Sequence, residues 1–383
     1  MKLFMSSPDI TVAEVNAVVA ALQSGTLGLG TQLRAFEEGA AAVLGSRFAV
    51  VVNSGTSALH LAVIAAGLRD GDLAITTPFS FVASSNCLLY ERAAPVFVDV
   101  DPVTGNIDPA LVEQKAAEIA AGPLRDKLKA LIPVHTFGRP CDMDPLMSIA
   151  REHELTIIED ASEAIGAEYG GRPVGTLGDV GVFAFYANKQ MTTGEGGMLV
   201  TSRADWRELF HSLRNQGRDV FDTWLTHSRL GYSYRLDEMS AALGIVQVAR
   251  LNELLSKRAR VAGWYSALLQ HQRELIEPPV TVATTTRMSW FVYVVRLAAK
   301  IDRDMLMRQL DDRGIPSRPY FTPIHLQPLY RDRFGFKPGD FPVAEDLGRR
   351  TLALPFSGVM TEEQVHYVCH HLTQLVKRQC VLP

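Results

Sequence analysis

Between residues 48 and 160, short apolar runs alternate with helix-patterned segments, and nothing else in the chain constrains its fold so tightly. Residues 48–52, 73–76, 94–100, 129–135 and 155–158 read as strands, each closed by turn-forming residues. Residues 57–68, 83–90, 107–121 and 143–153 read as the helices between them. Strands joined through helices lie parallel, because the return crossover carries the chain back to the same end of the sheet. The expected class is α/β, a mainly parallel sheet with helices on both faces. Ligands in such sheets bind beyond the carboxyl ends of the strands. Ser54, Phe81, His135 and Asp160 all fall just past such ends.

A chain of 383 residues exceeds one ordinary core, so two domains are expected. Residues 236–255 read as one long helix joining them, which gives a cofactor-sized domain at 1–245 and a smaller α+β domain at 246–383. The second part contains a helix-patterned segment at 257–270, a clear strand run at 290–297, helices at 302–313 and 361–377, and a proline-rich stretch at 315–328. Near the start, residues 11–22 and 33–44 read as helices, the first capped by Asp9 or Thr11. Gly25–Gly30 lacks the flanking strand of a dinucleotide fingerprint.

A formal charge of -4 shows no basic excess, so neither nucleic acid nor anionic lipid is an expected partner. Four widely spaced cysteines form no C-x-x-C pair and imply neither zinc nor a disulfide framework. The first eleven residues do not resemble a signal peptide, and no apolar run reaches the ~20 residues of a membrane span. The expectation is a cytoplasmic enzyme without a metal.

Three local features carry chemistry. Lys189 lies between an apolar run at 180–186 and a glycine-rich turn at 192–197. A buried ammonium is costly, and burial frees the neutral amine that attacks a carbonyl to make a Schiff base. The plain alternative is a solvated loop lysine. Ser54-Gly55-Thr56 stands at a predicted helix N-terminus, where unpaired N–H groups favour a phosphate; the alternative is a simple helix cap at Asn53 or Ser54. Asp160 ends a strand, where it faces solvent, caps the next helix or meets a cation such as a protonated ring nitrogen. Amine, carboxylate and phosphate seat in one chain together suggest pyridoxal 5'-phosphate.

The chain resembles the DegT/DnrJ/StrS-type sugar aminotransferases, within the aspartate-aminotransferase fold. The likeness covers nearly the whole length. It includes Ser24-Gly25-Thr26-Leu27 with Phe36-Glu37-Glu38, Asn53-Ser54-Gly55-Thr56-Ser57-Ala58-Leu59, Ile158-Glu159-Asp160, Gly194-Glu195-Gly196-Gly197, Gly231-Tyr232-Ser233-Tyr234-Arg235 and Pro323-Ile324-His325-Leu326-Gln327. The resemblance implies a seven-stranded sheet of pyridoxal-phosphate fold type I. It implies that Lys189 carries the cofactor and shuttles the proton, Asp160 pairs with its ring nitrogen, Gly55 and Thr56 hold its phosphate, and Phe81 stacks on its ring. Glu163 stands where the family often has Gln or His near the ring hydroxyl. His325 and Tyr320 border the substrate cleft, although a packing histidine is an equal reading of His325.

Two positions depart from the family pattern. Ala184 replaces a phosphate-binding serine five residues before the lysine, and Ser233 replaces an asparagine that a neighbouring subunit gives to the phosphate. Related sugar dehydratases carry histidine at the lysine position, so Lys189 implies transamination. The implied reaction takes nitrogen from glutamate to a nucleotide-linked keto sugar, a 4-keto-6-deoxyhexose, in a homodimer with shared sites. The alternatives are a dehydratase, a cyclitol aminotransferase, or a regulatory homologue without turnover.

Overall fold

The computed structural model describes residues 2–219 and 226–381. Seven strands form the central sheet: β1 (Phe48–Val52), β2 (Leu73–Thr76), β3 (Ala94–Phe97), β4 (Leu128–Leu131), β5 (Thr156–Asp160), β6 (Val180–Ala184) and β7 (Gly197–Thr201). Their order is β1-β7-β6-β5-β4-β2-β3. The four pairs from β3 to β6 are parallel, and β7 runs antiparallel to both β6 and β1. The seven-stranded, mainly parallel α/β sheet is thus as expected. Both faces are covered, one by helices around Phe36 and Met143, the other by helices carrying Leu59, Leu88 and Phe210.

Strand ends differ from the sequence reading. The regular strands expected to continue to residues 100 and 135 end at Phe97 and Leu131; beyond them the Val98 and Ile132 N–H groups still donate to the Thr76 and Ile75 carbonyls, and Pro133–His135 pair with Asp160 at the end of β5. The expected single helix at 236–255 is two helices, Glu238–Ala249 and Leu251–Leu269. Arg250 marks the break, and its guanidinium is engaged by Asp9, Glu14 and Glu253. The helix Ala204–Arg214 and the strand Thr351–Leu354 carry no periodic signal that the sequence reading registered.

Buried carboxylates tie distant segments to the sheet. Glu238 accepts the N–H groups of Gly30, Gln32 and Leu33, so it caps the helix Thr31–Leu44 from more than 200 residues away. Gly30 is required there, since an added Cβ would lie 2.5 Å from Glu238 Oε2. Glu159 accepts N–H groups from Gly175, Leu177 and Gly178 and pairs with His135 at 3.1 Å. Each is a buried acceptor fully supplied with donors, which is the condition for burying a carboxylate at all.

The helix Leu251–Leu269 runs from one core into another. Leu251, Leu254 and Leu255 pack in the core beneath the large sheet, whereas Val261, Tyr265 and Leu269 pack against an antiparallel sheet of Ile276–Glu277, Tyr293–Leu297 and Thr351–Leu354. The long C-terminal helix closes this second, α+β core with Val368, Leu372 and Val376. Asp99, just past β3, accepts the N–H groups of Val343 and Ala344 and so holds a helix of the second unit against the first. Among the described residues no helix is long and apolar enough to cross a membrane.

Candidate active site

The carboxyl ends of β1, β2 and β5 and the end of β6 open onto a cavity of about 490 Å³. Its wall includes Ser54, Gly55, Thr56, Phe81, Asp160, Glu163, Ala184, Lys189 and Tyr320. Of the nine residues to which the family resemblance assigns a role, Gly55, Thr56, Phe81, Asp160, Glu163, Lys189 and Tyr320 therefore meet in one place.

The seat at β1 follows from local geometry. Val52 is wholly buried, the chain turns at Asn53, and Ser54 caps the helix Gly55–Ala65 by accepting the Ser57 N–H at 3.0 Å. The Ser54 hydroxyl is thereby used as a cap, which is the plain reading of that residue. The N–H groups of Gly55 and Thr56 precede the first intrahelical acceptors and sit at the positive end of the helix dipole. Gly55 is fixed by its neighbour across the sheet: a Cβ there would lie 2.6 Å from the Ala184 Cβ. Ala184 itself offers no hydroxyl, so the seat draws on backbone donors and Thr56.

Lys189 is placed by the turn after β6, where its N–H donates to the Tyr186 carbonyl at 2.9 Å. Its Nζ lies 3.8 Å from Glu163 Oε1 and 3.9 Å from the centroid of the Phe291 ring. Burial pushes the Lys189 ammonium below its ordinary range, while Glu163 and Asp160 act in the opposite direction. Burial likewise pushes the Glu163 carboxyl up, opposed by Lys189 and by the Phe137 N–H that Oε2 accepts at 2.9 Å. Desolvation favours the neutral form of both partners, and their mutual attraction works against it. The solvated-loop alternative for Lys189 is overturned by this burial.

Asp160 is 4% exposed, and its Oδ1 accepts the Ser162 N–H at 3.1 Å. The far wall is aromatic. Tyr320 stacks on Phe321 at 4.9 Å and lies parallel to Phe137 and Phe291. Phe81, by contrast, is 62% exposed at the mouth.

Two predicted residues lie elsewhere. His325 is wholly buried, hydrogen-bonded to Glu345 at 3.1 Å and packed edge-on against Phe341. The substrate-contact role expected for His325 is corrected to the packing role, because the loop turns the imidazole inward while Tyr320 and Phe321 of the same stretch face the cavity. Ser233 does not line the cavity of its own chain; its hydroxyl accepts from Arg235, and its carbonyl takes the Asn53 amide. His135 is also absent from the wall, being held by Glu159 and by the Cys141 N–H. Sequence reasoning missed Tyr186 and Asn188, although both lie beside Lys189, and it missed Phe291, a hundred residues away, for which no local signal exists.

The sequence pattern of the DegT/DnrJ/EryC1/StrS aminotransferase family matches residues 8–373. The GDP-perosamine synthase of Caulobacter vibrioides is 39% identical over 343 residues, which is 89% of each chain. Among solved structures, Helicobacter pylori PseC, an aminotransferase involved in the biosynthesis of pseudoaminic acid, superposes with a TM-score of 0.90 at 28% identity, over 99% of this chain and all of the other. A sugar aminotransferase from Streptococcus pneumoniae, solved in PLP and PMP forms, gives TM-scores of 0.91 and 0.92 at 26% identity, over 99% of this chain and 99–100% of the other.

Proposed function

The chain belongs to the DegT/DnrJ/EryC1/StrS aminotransferase family, as a pyridoxal-phosphate-dependent sugar aminotransferase, and we propose that it moves an amino group from glutamate to a nucleotide-linked keto sugar, a 4-keto-6-deoxyhexose. The observation that carries this reading is the meeting of Lys189, Asp160 and the Gly55–Thr56 helix start in one cavity. The donor set suits the cofactor: backbone N–H groups for a phosphate, a carboxylate for a ring nitrogen, and a buried amine for an aldehyde. When bound, pyridoxal phosphate supplies the aldehyde that carries nitrogen between donor and acceptor, and a ring that withdraws electrons.

The residues divide the work. Gly55 and Thr56 hold the phosphate, aided by the dipole of the helix they begin. Asp160 keeps the ring nitrogen protonated. Lys189, its charged form disfavoured by burial, takes a proton at Nζ from the donor's α-carbon and returns one to the carbon that gains nitrogen. Glu163 lies beside it, Oε1 3.8 Å from Nζ. Phe291, Tyr320 and Phe321 exclude water, which strengthens each of these electrostatic contacts. Phe81 and Tyr186, both more than half exposed at the mouth, would be covered by a partner subunit. We read the enzyme as a homodimer, with Ser233 serving the neighbouring site. The four free cysteines agree with work in the reducing cytoplasm.

The test is spectroscopic. Glutamate added to the loaded protein should convert the cofactor from its aldehyde to its amine absorbance, and a nucleotide-linked 4-keto-6-deoxyhexose should convert it back. No conversion by glutamate, or a spectrum unchanged in Lys189→Ala, would sink the reading. Conversion back by keto-cyclitols alone would reassign the acceptor.

A further inference from the structure

Arg258 lies on the helix that runs between the two cores and is only 3% exposed. Burial pulls its guanidinium down to about 10, with no carboxylate among the described residues acting in the other direction. A buried cation without a counter-charge is among the costliest groups a fold can hold. What it touches explains its presence. Nη2 donates to the Lys189 carbonyl at 2.8 Å and the Asn188 carbonyl at 3.4 Å. Nη1 donates to the Phe291 carbonyl at 3.0 Å and the Trp290 carbonyl at 3.2 Å. One planar fork thus grips two chain segments a hundred residues apart, and the ring of Phe291 returns to lie 3.9 Å from Lys189 Nζ.

We propose that Arg258 is a positioning residue for the reaction: with Phe291 it fixes both ends of Lys189, the main chain directly and the amine through the ring. This rests on Lys189 being the residue that carries the cofactor. The arrangement joins the cofactor lysine to the second unit, since Phe291 immediately precedes the strand Tyr293–Leu297. Arginine is required because its five donors are set in a rigid fork; a lysine in its place is a point donor and cannot span two pairs of carbonyls. The groups facing the Lys189 amine are Asp160 at the end of β5, Glu163 just after it, Phe291 from the second unit, and the more distant charge of Arg258. The two positioning partners act oppositely on a protonated nitrogen. Arg258 repels it, and the face of Phe291 attracts it.

The experiment titrates the absorbance of the bound cofactor against pH in holoenzyme carrying Arg258→Lys, Arg258→Met or Phe291→Leu, beside Lys189→Ala. Arg258→Met should raise the midpoint by about one pH unit, and Phe291→Leu should lower it. Arg258→Lys retains a charge, so its midpoint should stay near that of the wild type while kcat falls ~10–100-fold with little change in the KM for glutamate. If Arg258→Met fails to fold or load, Arg258→Lys and Phe291→Leu carry the test. A kcat for Arg258→Lys equal to wild type, or a Phe291→Leu midpoint that is unmoved or raised, overturns the proposal. If the spectrum of Lys189→Ala matches wild type, the fault lies instead with the role given to Lys189.

Discussion

The contact between Gly55 and Ala184 yields a prediction with two sides. Gly55→Ala would place a methyl 2.6 Å from the Ala184 Cβ and 3.4 Å from its Cα, where carbon atoms normally approach to about 3.5–4.0 Å. An overlap near 1 Å between two β carbons is relieved only by moving backbone, because neither side chain has a rotamer to change. Overpacking of this kind costs about 1–3 kcal/mol, against which alanine's better helix propensity returns at most about 1 kcal/mol. The helix start must then retreat from β6, drawing its N–H groups away from the phosphate. Loss of one hydrogen bond to a charged group costs about 1.5–3 kcal/mol, so cofactor Kd should rise ~10- to 100-fold, as read by fluorescence or absorbance titration. Ala184→Gly removes the opposing methyl. The double variant should return to within ~3-fold of wild type, a coupling of more than about 1 kcal/mol. Normal affinity in Gly55→Ala, or no rescue by Ala184→Gly, would refute the steric reasoning.

The other predictions concern charge and assembly. Because the folded carboxyl of Glu163 is raised, its contribution to stability is complete below the ordinary carboxylate pKa of 4.5 and is lost as pH rises through its folded value. Glu163→Gln, locked neutral, should therefore gain on the wild-type apoenzyme as pH rises from 5 to 8, by on the order of 2–4 °C in Tm; a gap that shrinks with pH would count against it. His325→Ala breaks a buried pair whose histidine is lowered by burial, so Tm should fall by several degrees, with cofactor Kd and the KM for the sugar within ~3-fold of wild type. A changed KM without a changed Tm would return His325 to the cleft. Asp160→Asn should weaken cofactor binding and cut kcat by at least ~100-fold, measured by titration and steady-state assay. Mixed dimers of Lys189→Ala with a Ser233→Leu chain should recover activity that neither homodimer has; failure of mixed dimers to recover it would separate Ser233 from the neighbouring site.

Much of this was legible because the signals were local. An apolar run ending in Asn53-Ser54-Gly55-Thr56 describes a strand, a turn and a helix start by itself, and an apolar strand ending in Glu159-Asp160 fixes where a carboxylate emerges. The lysine segment was equally readable, since its hairpin and glycine turn are contiguous. The inward turn of His325 was not, because it depends on Glu345 and Phe341 arriving from a later helix. The break at Arg250 also escaped pattern reading: no Pro or Gly marks it, and the interruption coincides with charged partners at Asp9 and Glu14. Arg258 carries no local signal of its role either. Its four carbonyl partners belong to segments the helix meets only after folding.

The position of β1 bears on how the molecule comes into being. The first strand to leave the ribosome pairs only with β7, the last of the seven, and its helix Thr31–Leu44 waits for Glu238 to complete its cap. Until some 200 residues have been made, the strand that leads into the proposed phosphate seat has no neighbour to hold it. Closures over so long a stretch of chain are slow. The catalytic pocket is therefore among the last parts of the large unit to assemble, and a nascent chain halted before residue 197 would expose the apolar β1 edge to aggregation or to chaperones.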